Sequence, residues 1–309
     1  ILIDPPTTGF DIDVHFLTPV TVSQEAAFTA AAAKWESVIT GDLPTELVSL
    51  PLIFCGGVLD EYVDDVAINA LIGPIDGVGG TLGFASFCWP RNLGGGVWGL
   101  PAYGIMVFDS DDVVDLETNG QLNDVVLHEM GHVLGIGSLW DIFGNLEDDG
   151  GLIDDRDDCI PIDDDTPLPT DPFFNGTTAI AAFEANGGLN YMGNKVPAEN
   201  DYGPGTRCVH WRENVLVNEL MTGFAELPGT AMPLSEVTVK SLGDLGYTVA
   251  TSGWDPWTCP NCGPPPPAGM AVENVTAGKL QLINDVWLGP VYSRDEQGQI
   301  IELVPDRRR

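Results

Sequence analysis

The sequence predicts an α+β fold, and three observations carry the prediction. Residues 10–16 (FDIDVHF) alternate apolar and polar side chains at the period of a half-buried strand. Residues 24–39 are Ala-rich with helical spacing, and residues 122–134 repeat that spacing more clearly. Strand-like runs and helical runs then follow one another through the first half of the chain, as in short helices laid on a sheet.

Each element can be justified in chain order. Ser23 is placed to N-cap the helix over 24–39, and Gly41 and Pro44 end it. Residues 47–54 and 66–72 read as strands. A glycine-rich stretch at 77–83 leads into further strands at 84–89 and 103–108. Asn119 is placed as the N-cap of the helix over 122–134, which Gly135 and Gly137 stop. Residues 141–171 are acidic, contain Gly and Pro, show no periodicity and read as loop. A short helix over 178–184 ends at 186–188, and a last helix spans 234–245 before Gly246. Cys259, Cys262 and the prolines at 264–267 mark the end of the body. Residues 268–309, with strand-like pieces at 279–283 and 300–304, read as an added module or tail. Three regions result: 1–137, 138–258 and 259–309.

Composition narrows the partners. The 309 residues include 46 Asp and Glu against 12 Lys and Arg, a formal net charge of −34. With 44% hydrophobic residues the chain can nevertheless bury a core. Residues 1–263 carry 40 acidic and 7 basic side chains, so the charge belongs to the body. Nucleic acid and anionic membrane surfaces are repelled by such a field, which leaves neutral or cationic partners and divalent cations. No run approaches the ~18 apolar residues of a membrane helix. The six cysteines, Cys55, Cys88, Cys159, Cys208, Cys259 and Cys262, are even in number and dispersed. They fit a secreted, extracellular protein with up to three disulfides. The chain opens at Ile1 without Met or a charged segment, and the expectation is a leader or pro-segment absent or already removed.

The chemistry concentrates in His128-Glu129-Met130-Gly131-His132, an HExxH motif on a helix. Positions i and i+4 lie one turn apart on one face, so both imidazoles reach one metal ion. Glu129 projects about 100° round the helix, off the ligand axis, where a carboxylate serves as general base on water. A catalytic zinc normally takes three protein ligands. The local pattern HExxHxxGxxH would need His at 138, and the residue there is Ser138. Glu184 and Glu219 are candidates by position. His210 is the other, because Met221 follows it by eleven residues in NELMTG, and a Met in a turn after the last histidine forms an apolar floor beneath metal ligands. His15 lies in the first strand.

Residues 128–137 with Leu139-Trp140, then His210-Trp211-Arg212-Glu213 and 218–223 (NELMTG), resemble the leishmanolysin-like zinc metallopeptidases, which are metzincins. Lys34-Trp35-Glu36, Ile75-Asp76-Gly77 and residues 234–247 (LSEVTVKSLGDLGY) add weaker similarity, and the whole covers roughly residues 10–250. The resemblance implies a twisted sheet over the HExxH helix, with a C-terminal subdomain below the cleft and an insertion between the helix and the third histidine. It implies Zn²⁺ on His128, His132 and His210, Glu129 as catalytic base, Met221 as the Met-turn, and protein or peptide substrates lying extended along a sheet edge. Surface proteases of this type carry many more cysteines, so the resemblance assigns no disulfide pairs. No cysteine precedes Cys55, so the expectation is that a cysteine masking the zinc of a zymogen would lie upstream of this chain.

The insertion holds eleven acids between Asp141 and Asp165 against one base, Arg156. Its two readings are a Ca²⁺ site, with Asp148, Asp149, Asp154 and Asp155 as ligands, and a solvated acidic surface. An EF-hand match fails at Arg156, the twelfth position. Asp109-Ser110-Asp111-Asp112 reads as a solvated turn or cap. Cys259-Pro260-Asn261-Cys262 lacks the second pair of a zinc ribbon and reads as a structural disulfide, within the pair or to other cysteines. Asn175 and Asn274 stand in glycosylation sequons. The functional expectation is a secreted zinc endopeptidase; a non-catalytic metal-binding adhesion or structural module and a metallohydrolase on other substrates are the alternatives.

Overall fold

The computed structural model of the chain describes residues 2–3, 9–50, 55–94, 97–148, 151–153, 159, 171–190, 194–203, 205–262, 276–282, 285–286, 290–295 and 297–304. In chain order these form β1 (Leu2–Ile3), β2 (Ile12–Phe16), α1 (Val22–Val38), β3 (Glu46–Leu50), β4 (Val58–Val63), β5 (Val66–Gly73), β6 (Gly83–Asn92), β7 (Trp98–Asp109), α2 (Ser110–Asn119) and α3 (Leu122–Val133). The second half adds β8 (Leu146–Asp148), β9 (Gly151–Leu152), β10 (Phe173–Phe174), α4 (Thr177–Ala185), β11 (Val196–Pro197), α5 (Glu213–Leu216), β12 (Phe224–Ala225) and α6 (Glu236–Leu245). The C-terminal segment contributes β13 (Leu280–Gln281), β14 (Val291–Arg294) and β15 (Ile300–Val304). The architecture is mixed α and β with several sheets.

The central sheet runs β2-β5-β7-β6, with β2, β5 and β7 parallel and β6 antiparallel at the edge. The start of β5 is buried on both faces, which is why it reads Val66-Ala67-Ile68 without polar interruption. Ile68, Ala70, Met106 and Phe108 face a core built with α1 and α3. Ala67, Cys88, Ala102 and Tyr103 face a second core with Val48, Leu50 and Val63 of the small β1-β4-β3 sheet. Arg91 is buried between the layers and donates to the carbonyls of Pro44, Asp64 and Pro101. Below α3, a β11-β10-β8-β9 sheet and the packed pair α4 and α6 complete the body.

Two predicted caps are corrected. The N-cap of α1 is Thr21: its hydroxyl accepts from Gln24 N, and the Gln24 amide oxygen accepts from Thr21 N, a capping box that outcompetes Ser23. The Ser23 hydroxyl donates to Glu117 of α2 instead. Asn119 is the last residue of α2, whose chain reverses at Gly120 in the left-handed region, and α3 starts after Gln121. The acids at 109–112 open α2, a helix absent from the sequence reading. Asp109 is its N-cap and is buried, not solvated, accepting from the N–H groups of Asp111, Ile75, Asp76 and Gly77. Burial alone would raise its carboxyl, and these four donors instead hold it below the usual range. The strand β4 (Val58–Val63) was also not anticipated, because Asp60 and Glu61 interrupt its apolar run.

Three disulfides form, Cys55–Cys88, Cys159–Cys208 and Cys259–Cys262, and among the described residues no cysteine is free. They are compatible with an extracellular protein. Among the described residues no helix is long and apolar enough to cross a membrane. The C-terminal segment packs on the body: β13 pairs antiparallel with β12, and Tyr292 of the β14–β15 hairpin enters the second core.

Candidate metal centre

The HExxH helix α3 is buried over His128, Glu129, Met130, Gly131, His132 and Val133. It stays straight and anchored because neighbouring side chains take its carbonyls. Trp35 Nε1 donates to Leu127 O, Ser138 Oγ to His132 O and Tyr247 Oη to Leu134 O. Gly135 and Gly137, at φ of 113° and 71°, then turn the chain back. At Gly137 a Cβ would sit 1.9 Å from Val209 O, so the residue before His210 runs against the turn that ends α3. That approach brings the third histidine beneath the first two.

The segment carrying His210 is fixed on both sides. Glu199 N donates to His210 O, and Trp211 N donates to Met221 O, with Trp211 bridging to Thr222. Trp211 stacks on Trp140 at 4.4 Å and meets Phe174 edge-on, while its Nε1 donates to Thr238 Oγ1 at 2.8 Å. Met221 is buried on α3, and a Cβ at Gly131 would come within 2.8 Å of its sulfur. The buried Glu219 carboxylate holds this turn, accepting from Met221 N, from Ser235 N and Oγ, and from Thr238 Oγ1. Glu219 is thereby a structural anchor and stands outside the ligand group; so does Glu184 in α4.

His128, His132 and His210 converge with Nε2 atoms 3.0, 3.1 and 3.2 Å apart. Each Nδ1 faces a backbone carbonyl, Leu220 O at 2.7 Å, Ile136 O at 2.8 Å and Thr206 O at 3.0 Å. A carbonyl only accepts, so each Nδ1 bears the hydrogen and each Nε2 lone pair points inward. A fourth group arrives from the C-terminal segment. Asp285 Oδ2 lies 2.8 Å from His210 Nε2, 3.3 Å from His128 Nε2 and 3.8 Å from His132 Nε2, and all four residues are fully buried. Four acceptors facing one another without water repel; one proton relieves one contact, whereas a metal cation satisfies all four. Tetrahedral zinc with Zn–N of about 2.0–2.1 Å sets its nitrogens roughly 3.3–3.4 Å apart, close to the spacing here. This buried group can hold a metal ion.

Electrostatics agree. Burial pushes the His128 and His132 imidazoles down, His132 to about 4, so both are neutral ligands at pH 7. At His210 burial is outweighed by the Asp285 carboxylate, which raises it. Asp285 is held well below the usual carboxylate range, burial being outweighed by the three imidazoles. Glu129 is pushed well up, first by burial and then by the charge of Asp285. Among the described residues neither Glu129 oxygen has a hydrogen-bond partner.

Of the other residues singled out in the sequence, His15 bonds to Asp13 and Tyr103 and lies apart from the centre. Asp148 sits half-buried in β8 and joins no metal-ligating group among the described residues; Asp149, Asp154 and Asp155 lie outside those residues, as does Asn274. Asn175 is half-buried, its amide donating to Gly144 O and Glu147 Oε1. Asp285 was missed because a single acid in the tail carries no spacing signal. The apolar run around it (LQLINDVWLG) was the available hint, since such a run needs a groove to cover it. Comparison with protein families and with curated proteins finds no match for this chain.

Proposed function

We propose that this protein is a secreted zinc endopeptidase of the leishmanolysin-like metzincin type. The observation that carries the reading is Glu129: a fully buried carboxylate with no hydrogen-bond partner among the described residues, one residue from His128, beside three inward-pointing Nε2 atoms. A site that only stored metal would gain nothing from an unpaired buried carboxylate, which is costly to keep. The Met221 turn beneath α3 and the edge position of β6 in the central sheet support the same reading. The three disulfides support an extracellular setting.

Zinc held by His128, His132 and His210 supplies a Lewis acid that polarises the scissile carbonyl and acidifies water. The chain's own residues do the rest. The Leu220, Ile136 and Thr206 carbonyls fix the tautomer and orientation of the imidazoles. Glu129 takes the proton of the attacking water on a carboxylate oxygen and delivers it to the leaving amine. Water is excluded by the surrounding core, which strengthens each of these interactions.

One observation favours a second reading. Asp285 makes a fourth protein group on the three histidines, and closed four-ligand sites are the mark of structural zinc. A non-catalytic metal-binding module would look like this. Casein cleavage separates the two, assayed on the wild-type chain and on Asp285→Ala, with and without chelator. Glu129→Gln in either background retains the metal and loses about 10²–10⁴-fold in rate on the enzyme reading. A zinc-loaded Asp285→Ala chain that cleaves no peptide or protein refutes it.

A further inference from the structure

We propose that the C-terminal segment carrying Asp285 is a built-in, displaceable inhibitor, which supplies a fourth metal ligand and fills the sheet edge on which a peptide substrate would lie. The proposal rests on the metallopeptidase reading for its consequence, and on the following contacts for its geometry.

The segment crosses the cleft from one wall to the other. On the lower wall, Leu280 and Gln281 pair with Ala225 and Phe224, directly after the Met221 turn. Leu282 N donates to Gly223 O at 3.0 Å, and its carbonyl accepts from Thr206 Oγ1 at 3.0 Å. On the upper wall, Asp285 O accepts from Ala85 N at 2.6 Å and Val286 bridges in parallel to Ala85. Ala85 belongs to β6, the outer strand of the central sheet. Strand addition at such an edge is how an extended peptide binds a sheet, so the tail takes the main-chain donor a substrate would use. Between the two walls the Asp285 side chain drops onto the three Nε2 atoms. The Asp285 carbonyl is committed to Ala85, and it is the Asp285 carboxylate that meets the three imidazoles.

The contacts are those of an occupant and not of a permanent ligand. A structural metal ligand is normally held by further hydrogen bonds. Asp285 Oδ1 is buried without any among the described residues. Among the described residues the strand pairing is short, two residues at β13 and one bridge at Val286, with single backbone bonds at Leu282 and Asp285. The strong anchor is Lys279, buried between Glu213 and Glu226 and donating to Val217 O at 2.9 Å. It tethers the segment ahead of Asp285, and Tyr292 in the second core tethers it behind, so Asp285 is displaced between two anchors while the chain stays attached.

The test uses the full chain loaded with Co²⁺, whose visible spectrum reports ligand changes, titrated with acetohydroxamate as a bidentate metal probe. Asp285→Ala and the near-isosteric Asp285→Asn are expected to retain one metal per chain, to bind the probe at least tenfold more tightly than wild type, and to cleave casein at least tenfold faster. Equal probe affinity in wild type and both variants overturns the proposal. Loss of the metal from both variants, with a folded chain by circular dichroism, also overturns it, because Asp285 is then integral to a closed structural site. Tenfold tighter probe binding without casein cleavage upholds the inhibitor and refutes the peptidase. The wild-type titration stands by itself if either variant misfolds: saturation of the wild-type spectrum at the affinity of an open three-histidine site contradicts the plug.

Discussion

Gly137→Ala tests how the third histidine is delivered. Gly137 has φ of 71°, and an added Cβ would stand 1.9 Å from Val209 O, 2.7 Å from its carbonyl carbon and 2.9 Å from its Cα. All three are backbone atoms, so no side chain can swing aside. A contact below 3.0 Å does not persist, and the Val209 carbonyl must retreat by about 1.1 Å. His210 is the next residue, and metal-ligand distances tolerate only about 0.2 Å. The left-handed conformation costs Ala about 1–2 kcal/mol and overpacking about 1–3 kcal/mol more. At roughly 2 °C per kcal/mol for a chain of this size, the melting temperature falls by about 4–10 °C. Gly120→Ala is the control. Its φ of 74° demands the same conformation, but no atom lies within 4 Å of its Cβ. It is expected to lose about 1–2 kcal/mol and keep its metal. The assay is zinc stoichiometry by elemental analysis after dialysis, with thermal melts on the same samples. Full zinc retention in Gly137→Ala, with a melt no lower than that of Gly120→Ala, would refute the packing argument.

Two further outcomes follow from buried carboxylates. Glu219→Ala strips the acceptor from Met221 N, Ser235 N, Ser235 Oγ and Thr238 Oγ1, and should destabilise the chain by about 3–5 kcal/mol in denaturant titrations, with Glu219→Gln intermediate; a loss below 1 kcal/mol would contradict its role as anchor of the Met221 turn. Asp124, in the first turn of α3, is raised from 3.8 to about 6 by burial and by Asp255. A raised acid penalises the folded state above about pH 6, and the penalty fades as pH falls towards 4. The raise corresponds to about 3 kcal/mol, which partial solvent exposure and the favourable helix N-terminus reduce to about 1. Asp124→Asn should therefore stabilise the chain by about 1 kcal/mol at pH 7.5 and not at pH 4, and an equal effect at both values would contradict the assignment.

The HExxH helix was legible in the sequence because its chemistry and its periodicity coincide. Spacing of four puts His128 and His132 on one face, and Gly135 and Gly137 mark where the helix must end. His210 was legible through Met221, and the two segments lie side by side, with Trp211 N donating to Met221 O and Trp211 bridging to Thr222. The sheet strands with uninterrupted apolar runs were legible too; β4 and α2 were not, because Asp60, Glu61 and Asp109 to Asp112 look solvated until their hydrogen-bond partners are known. Thr21 was passed over as a cap because the helix pattern alone leaves the first turn ambiguous, and only the reciprocal bond with Gln24 decides it. Asp285 lay beyond reach for a different reason. Its position is set by long-range pairing of β13 with β12 and of Val286 with Ala85, which no local pattern encodes.

The central claim is that His128, His132 and His210 form a metal centre, and metal analysis of the purified chain tests it most directly. One zinc per wild-type chain, retained through dialysis and lost in His210→Ala, is the predicted result. A wild-type chain without stoichiometric metal, or a His210→Ala chain that keeps it in full, would contradict the account.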